Sequence, residues 1–293
     1  MREIVGRWLC EGAGRWSPET LEKYGRALSD LLSWLREAHI CELRQISTAD
    51  LAAWLNSHPT WGPNQRHVAV YACKGFFRWA LGESSPAAAL RSPRRKGSTP
   101  PQRRLNEAQV LRLIGAIDTS TPKGIRDLAI VLIMLDRGLR ASEICQARVD
   151  RLDPERHELA VIVKGGRWSK RTFGDYTWSA LLRWLDLRPS FARPGVMTVF
   201  VSLGGLVKGC PLTRSGLQTA FKVMARKADI AALSPHDLRR TFVGLSTEYG
   251  NSTKITQIGG DWESISELDT YARGLVIDDW RKYSPADRLM GLR

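Results

Sequence analysis

A lone tyrosine, Tyr271, stands nine residues after Trp262 in the stretch 259-GGDWESISELDTYARG-274, on a short helical pattern behind a glycine-rich turn. A phenol in such a place is either packing or a nucleophile. In 236-HDLRR-240, His236 precedes Arg239 by three positions and Arg240 by four, so on a helix one imidazole and at least one guanidinium share a face that suits a phosphate. Taken alone, a histidine near a helix start beside two arginines reads more readily as a solvated or capping face. Arg140, in GLRASE, follows a glycine that interrupts a buried helical run, which puts a guanidinium at a helix junction. A plain salt bridge to Glu143, three residues on, is an equal reading. Lys164 ends the apolar run AVIVK and enters a glycine turn, where its ammonium projects toward a ligand or simply into water. Breaking a phosphodiester without a metal needs a nucleophile, positive charge for the transition state and an acid for the leaving oxygen. A phenol, guanidinium groups and an ammonium are residue types suited to those parts, each with its plainer reading beside it.

Other engines are absent from the sequence. It has no GxxxxGK[ST] phosphate loop, no HExxH, and no paired acidic residues at metal-binding spacing. The five cysteines, Cys10, Cys41, Cys73, Cys145 and Cys210, include no CxxC pair and read as reduced, mostly buried thiols. Neither a metal nor another cofactor is therefore expected. Lys and Arg number 44 against 30 acidic residues, giving a net charge of +14, and 43% hydrophobic content argues against a disordered basic tail. A folded polyanion binder fits, with arginines and tryptophans interleaved as along a groove that tracks a phosphate backbone. The opening MREIVGRWLCEGAG lacks the apolar core of a signal peptide, and the longest apolar run, Leu128 to Leu135, is far short of the ~20 residues that span a bilayer. The expectation is a cytoplasmic protein, nucleoid-associated in a prokaryote, with no membrane partner.

The elements that must position these residues fall into two blocks, as 293 residues suggest. SPETLEKYGRALSDLLSWLREA starts a helix, with Ser17 as N-cap, Pro18 at the first helical position, and Tyr24, Leu28, Leu31, Leu32 and Leu35 on one apolar face. A second helix starts at Thr48 and a third at Asn64, the latter placing Val68, Tyr71, Phe76 and Trp79 in a helical core. Residues 1–91 thus form a small all-helical bundle, and 92–104, rich in Pro, Ser and Arg, a basic interdomain linker. Residues 105–293 form the second domain, with helices at LNEAQVLRLIGAID, at GIRDLAIVLIMLDRG broken near Gly138, and around TWSALLRWLDL, TRSGLQTAFKVMARKA and PHDLRRTFVGLSTEYG. HELAVIVK, a basic turn GGRWSK and RTFGDY form a hairpin whose first strand runs from Glu158 to Lys164. The fold class is mainly α with a small antiparallel β-sheet. Ser264 and Glu267 have the form of a capping box for the helix that carries Tyr271.

Taken in order, Arg140, a hairpin Lys164, His236 and Arg239, Trp262 and Tyr271 resemble the signature of the tyrosine recombinase (phage integrase) family. GLRASEI is similar to the family's first arginine box, VKGGR to its β-hairpin lysine, SPHDLRRTF to its HxxR box, and the step from Trp262 to Tyr271 to its spacing. The resemblance extends over nearly the whole chain, as an N-terminal helical core-binding domain, a basic linker and a catalytic domain. It departs in three places: Arg240 where many members have a second His, Asp261 where a Gly is usual, and a hairpin turn GGRWSKR that looks longer, which leaves Lys170 as an alternative to Lys164. The resemblance implies a site-specific recombinase or integrase acting on double-stranded DNA sites as a tetramer, without metal or ATP. Tyr271 would form a 3′-phosphotyrosyl bond, Arg140 and Arg239 would hold the non-bridging oxygens, His236 would assist, Lys164 would protonate the 5′ oxygen, and Trp262 would bind and buttress. A type IB topoisomerase-like enzyme and a catalytically silent DNA-binding protein are the alternatives. The tail's apolar set, Leu275, Val276, Ile277, Trp280 and Leu289, suits docking on a neighbouring subunit or packing on its own domain.

Overall fold

The computed structural model describes residues 1–92, 103–163, 165–231, 233–265 and 268. Lys164, Tyr271, Glu267 of the expected capping box, the tail and most of the expected linker lie outside the described residues. The chain divides into two compact units, Met1–Thr99 and Pro100–Arg293.

The first unit contains α1 (Arg2–Gly12), α2 (Pro18–Glu37), α3 (Thr48–Asn56) and α4 (Pro63–Leu81). Ser17 caps α2 by accepting the backbone N–H of Thr20, and Ser47 caps α3 reciprocally with Asp50. Each cap satisfies donors that a helix start would otherwise leave without partners. The core gathers Leu28, Leu31 and Leu35 from α2, Leu51 and Trp54 from α3, and Phe76 and Phe77 from α4. The Trp54 indole satisfies its N–H by donating to Oδ2 of Asp30 at 2.8 Å, as a buried tryptophan must. Tyr71 is not in this core. It is 52% exposed and stacks on His67, while Ala69, Val70, Ala72 and Cys73 face inward. The small residues Ala72 and Cys73 are what let α4 come close to its neighbours, and the bulky aromatic just before them is turned outward. The cysteines also differ from expectation: Cys73 is buried, with its thiol pushed up to about 12 by desolvation, but Cys10 and Cys41 are exposed.

The second unit is built on α6 (Pro122–Arg137), which packs against α8 (Asp175–Leu187) and α10 (Pro235–Glu248). Around it lie α5 (Glu107–Gly115), α7 (Ala141–Gln146), α9 (Arg214–Lys227) and α11 (Thr253–Gly260). The sheet has three antiparallel strands in the order β1 (Leu152–Asp153), β2 (Glu158–Ile162) and β3 (Trp168–Thr172). The fold is thus mainly helical with a small antiparallel sheet. β2 stops at Ile162, short of Lys164, and β3 begins at Trp168 inside the stretch read as a turn. The register pairs Ile162 with Trp168 and Ala160 with Lys170, and Val163 N–H donates to Arg167 O, so the loop is short. Lys170 consequently lies within the ladder and not in the turn. Gly259 and Gly260 are likewise not a turn but the last residues of α11. None of the described helices is long and apolar enough to cross a membrane.

Candidate active site

Gly138 ends α6 in the left-handed conformation, φ 57°, and a Cβ there would come within 2.7 Å of the Phe242 ring. Glycine meets both demands at once. The chain then turns to Arg140, the N-cap of α7, whose backbone N–H donates to Glu143 Oε2 at 2.9 Å and whose Nη1 donates to Oε1 at 2.8 Å. Glu143 is 1% exposed and the Arg140 side chain 31%. The salt bridge weighed from sequence is present, and its carboxylate grips the guanidinium from the buried side while part of the cation reaches the surface.

Arg239, on α10, is 2% exposed. Its Nη1 donates to the carbonyl of Gly138 and to that of Gly260 at 3.3 Å, and its guanidinium carbon lies 3.8 Å from the centre of the Trp262 ring. One side chain therefore ties the arginine box after α6 to the segment after α11. A guanidinium over an indole face is a cation–π contact, strengthened where both are desolvated. Trp262 stacks in turn on Phe242 with ring centres 6.1 Å apart and planes 7° from parallel, in an apolar cluster with Val243 and Leu268, which lies three residues before Tyr271. Gln257 clamps the Trp262 backbone from both sides: its carbonyl accepts Trp262 N–H at 3.1 Å, and its Nε2 donates to Trp262 O at 3.0 Å. At Gly260 a Cβ would fall 1.7 Å from the Trp262 ring, so no other residue lets the indole lie there without a shift.

His236 sits in the first turn of α10 and is exposed. Partial burial, then the positive charges of Arg240, Arg239 and Arg140, lower its pKa against an opposing pull from Asp237. The imidazole is neutral at pH 7. Arg240, where the family often has histidine, donates to Asp237 Oδ1 at 2.9 Å, and Asp237 also accepts Ser234 N–H at the helix start. Of the residues proposed from sequence, Arg140, His236, Arg239 and Trp262 are thus gathered around the start of α10 and the end of α11.

Asp261, the residue before Trp262, closes α11 in the left-handed conformation, φ 53°. Its carboxylate accepts Nη2 of Arg167 at 3.0 and 3.1 Å and Nη2 of Arg171 at 2.9 Å, both from the β2–β3 hairpin. Burial works against its charge, but Arg171 and Arg167 prevail and hold its pKa below the usual carboxylate value. Arg137, at the end of α6, also feels the charges of Arg171 and Asp261. Neither Gln257 nor the arginines of the hairpin stood out in the sequence, because their partners are set by the fold and not by spacing.

Residues 103–275 match the model of the phage integrase family, and residues 11–84 match that of the phage integrase N-terminal SAM-like domain. Tyrosine recombinase XerC of Xylella fastidiosa (strain M23) is 28% identical over 259 residues, covering 86% of this chain and 82% of that protein. Among solved structures, the XerH site-specific recombinase bound to difH substrate in a pre-cleavage complex superposes with a TM-score of 0.73 at 16% identity, covering 93% of this chain and 82% of the other. A lambda integrase dimer bound to a COC′ core site gives 0.70 at 19% identity, covering 95% and 79%. The chain belongs to the phage integrase family, the tyrosine recombinases. It is a site-specific recombinase, of the class that cleaves and rejoins DNA strands by tyrosine transesterification.

Proposed function

We propose that the recombination reaction of this chain runs through Tyr271 as nucleophile, Arg140 and Arg239 as phosphate ligands, Lys164 as acid, and His236 and Trp262 in support. The observation that carries the reading is the knot at Arg239, whose guanidinium is fixed by Gly138, Gly260 and Trp262. A cation held this rigidly meets developing charge without reorganising, which is where electrostatic catalysis gains most. Tyr271 attacks the scissile phosphate, giving a 3′-phosphotyrosyl bond and a free 5′-hydroxyl. The covalent link conserves the phosphodiester, so resealing needs no ATP. Planar guanidinium groups match the non-bridging oxygens and stay charged. His236, neutral at pH 7, accepts a proton or donates one hydrogen bond to phosphate. Trp262, whose indole N–H is only a donor, binds and buttresses. Lys164 fits the acid better than Lys170, which is in the ladder and paired with Glu158 at 2.9 Å.

The partner is double-stranded DNA carrying a recombination site, gripped by an N-terminal helical domain (1–91) and a catalytic domain (105–293) joined by a basic linker (92–104). Four copies assemble on two sites, in the cytoplasm. The +14 charge supports a binding mode dominated by phosphate contacts. No cofactor is invoked, because the guanidinium groups supply the charge that the transition state requires.

A nicked suicide duplex tests the assignment. The unsubstituted chain should form an adduct that survives denaturing electrophoresis and maps to Tyr271, and Tyr271→Phe should bind the duplex equally well and form none. An adduct on another residue, or one formed by Tyr271→Phe, overturns it.

A further inference from the structure

Asp261 is the point at which this chain departs from the glycine usual before the His/Trp position, and the departure has a structural cost. The residue adopts the left-handed conformation, which glycine accepts without penalty and which aspartate merely tolerates. In return its carboxylate, 19% exposed, gathers Arg167 and Arg171, residues 94 and 90 positions earlier in the chain. Arg171 is 3% exposed, on the inner face of β3, while Arg167 closes the loop and is 62% exposed. The backbone of Arg167 is itself fixed, its carbonyl accepting Val163 N–H at 2.9 Å. The β3 side of the hairpin is therefore tied, through one carboxylate, to the residue next to Trp262, and Val163 on the β2 side is held to it through Arg167. Trp262 carries Arg239 on its face.

We propose that Asp261 is a positioning residue, which locks the β2–β3 loop against the Trp262–Arg239 platform and so sets where the lysine of that loop stands relative to the phosphate ligands. The proposal rests on the reading of the site given above. Gly165 and Gly166, which follow Lys164 in the chain, both take positive φ, 87° and 80°, and bring no side chain to fix the loop. Glycine pairs leave a loop wide conformational freedom. The ion pairs to Asp261 supply the missing constraint from outside, and only a fold that brings residues 167 and 261 together does so. Two arginines against one carboxylate leave the cluster net positive, so it also keeps a cationic field beside the site.

The test is single-turnover cleavage of the nicked suicide duplex at saturating protein, with DNA affinity measured separately. Asp261→Gly relieves the backbone and removes the carboxylate, Asp261→Asn removes only the charge, and Arg167→Ala alters an exposed side chain that the fold does not need. Each should slow cleavage on the order of 10- to 100-fold, as displacement of a catalytic group by about 1 Å does. DNA affinity should be unchanged or tighter in the Asp261 variants, which lose a negative charge, and unchanged or slightly weaker in Arg167→Ala, which loses a positive one; Asp261→Glu should recover part of the rate. The Asp261→Asn, Arg167→Ala double variant should be no slower than the slower single variant. A duplex with a 5′-bridging sulfur, whose departure needs little protonation, should restore the variants to near the rate of the unsubstituted chain. Cleavage at full rate by Asp261→Asn, multiplicative losses in the double variant, or no relief by sulfur overturns the proposal. If the unsubstituted chain makes its adduct at Tyr271 and Asp261→Asn matches it, the inference alone falls; if no adduct forms at Tyr271, the reading of the site falls first.

Discussion

Lys170 and Arg171 are neighbours on β3, and the pleat sends them to opposite faces. Lys170 points outward, 68% exposed, and pairs with Glu158 on the adjacent strand. Arg171 points inward, 3% exposed, and pairs with Asp261 near the end of the described chain. The distances are the same, 2.9 Å in each case, but the environments are not. The outer cation keeps its water and can be released into solvent, although its partner Glu158 is only 14% exposed, whereas the inner cation has been desolvated and cannot be released without stranding a charge. The difference shows that the distance of an ion pair says little about its importance, and that burial and reach along the chain say more.

The largest effect should come from breaking the inner pair. Arg171→Ala removes a buried cation and leaves Asp261 with Arg167 alone. Truncating one member of a buried pair typically costs about 3–5 kcal/mol, and the exposed partner Arg167 should hold the loss near the lower end of that range. Urea unfolding of the catalytic transition would show it, and cleavage should fall with it because the hairpin loses its tie to the Trp262 segment. A variant as stable and as active as the parent would mean that the inner face of β3 is no different from the outer.

Much of this frame is visible in the amino-acid order. α2 announces itself through Ser17 and Pro18, α6 through the apolar run Leu128–Leu135 and the glycine, Gly138, that ends the helix, and the arginine and histidine boxes through their order along the chain. What is not visible divides by cause. α1 has only Val5 and Trp8 as large buried side chains and no side-chain cap, so its period is too weak to read. Tyr71 is apolar enough for a core but sits at a helical phase where Ala72 and Cys73 do the packing. The hairpin loop looks long because Trp168, Ser169 and Lys170 read as turn residues, though Ser169 faces inward within the strand. Asp261 is the extreme case. It is recognisable as a departure from a family pattern, but its partners lie some 90 residues away and obey no period.

A smaller effect, on the pH scale, separates charges that the fold tolerates from those that it opposes. Burial and three neighbouring arginines push the pKa of His236 below its ordinary 6.5. The unfolded chain thus binds the proton more readily than the folded one. This contribution to stability is complete above pH 6.5 and is lost as the pH falls through that value toward the folded pKa. Without DNA, the unfolding midpoint should therefore decline from pH 7 toward pH 5, and less steeply in His236→Gln, which has no proton to gain. An identical slope in the two proteins would show that the cations around His236 do not act on it. Asp261 has the same sense at lower pH, its stabilisation being lost only below the ordinary carboxylate value of 3.8.

The smallest effect should come from the outer pair. Lys170→Ala removes an ammonium that is 68% exposed from a Glu158 carboxylate that is 14% exposed; because the cation is solvated, the pair should contribute about 1 kcal/mol, well below the inner pair. Cleavage should hardly move, because Lys170 stands opposite Ala160 within the ladder, on the face away from the Arg171–Asp261 contact. The same substitution also settles which lysine is the acid. If Lys170 protonated the leaving oxygen, Lys170→Ala would cleave an ordinary duplex severely more slowly and recover on one with a 5′-bridging sulfur, while Lys164→Ala would be nearly unaffected. The expected result is the reverse: Lys164→Ala slow and rescued by sulfur, Lys170→Ala close to the parent on both substrates. A slow, sulfur-rescued Lys170→Ala would move the acid to the outer face of β3. It would also show that a pair with a solvated cation on this strand can matter as much as the one beside it whose cation is buried.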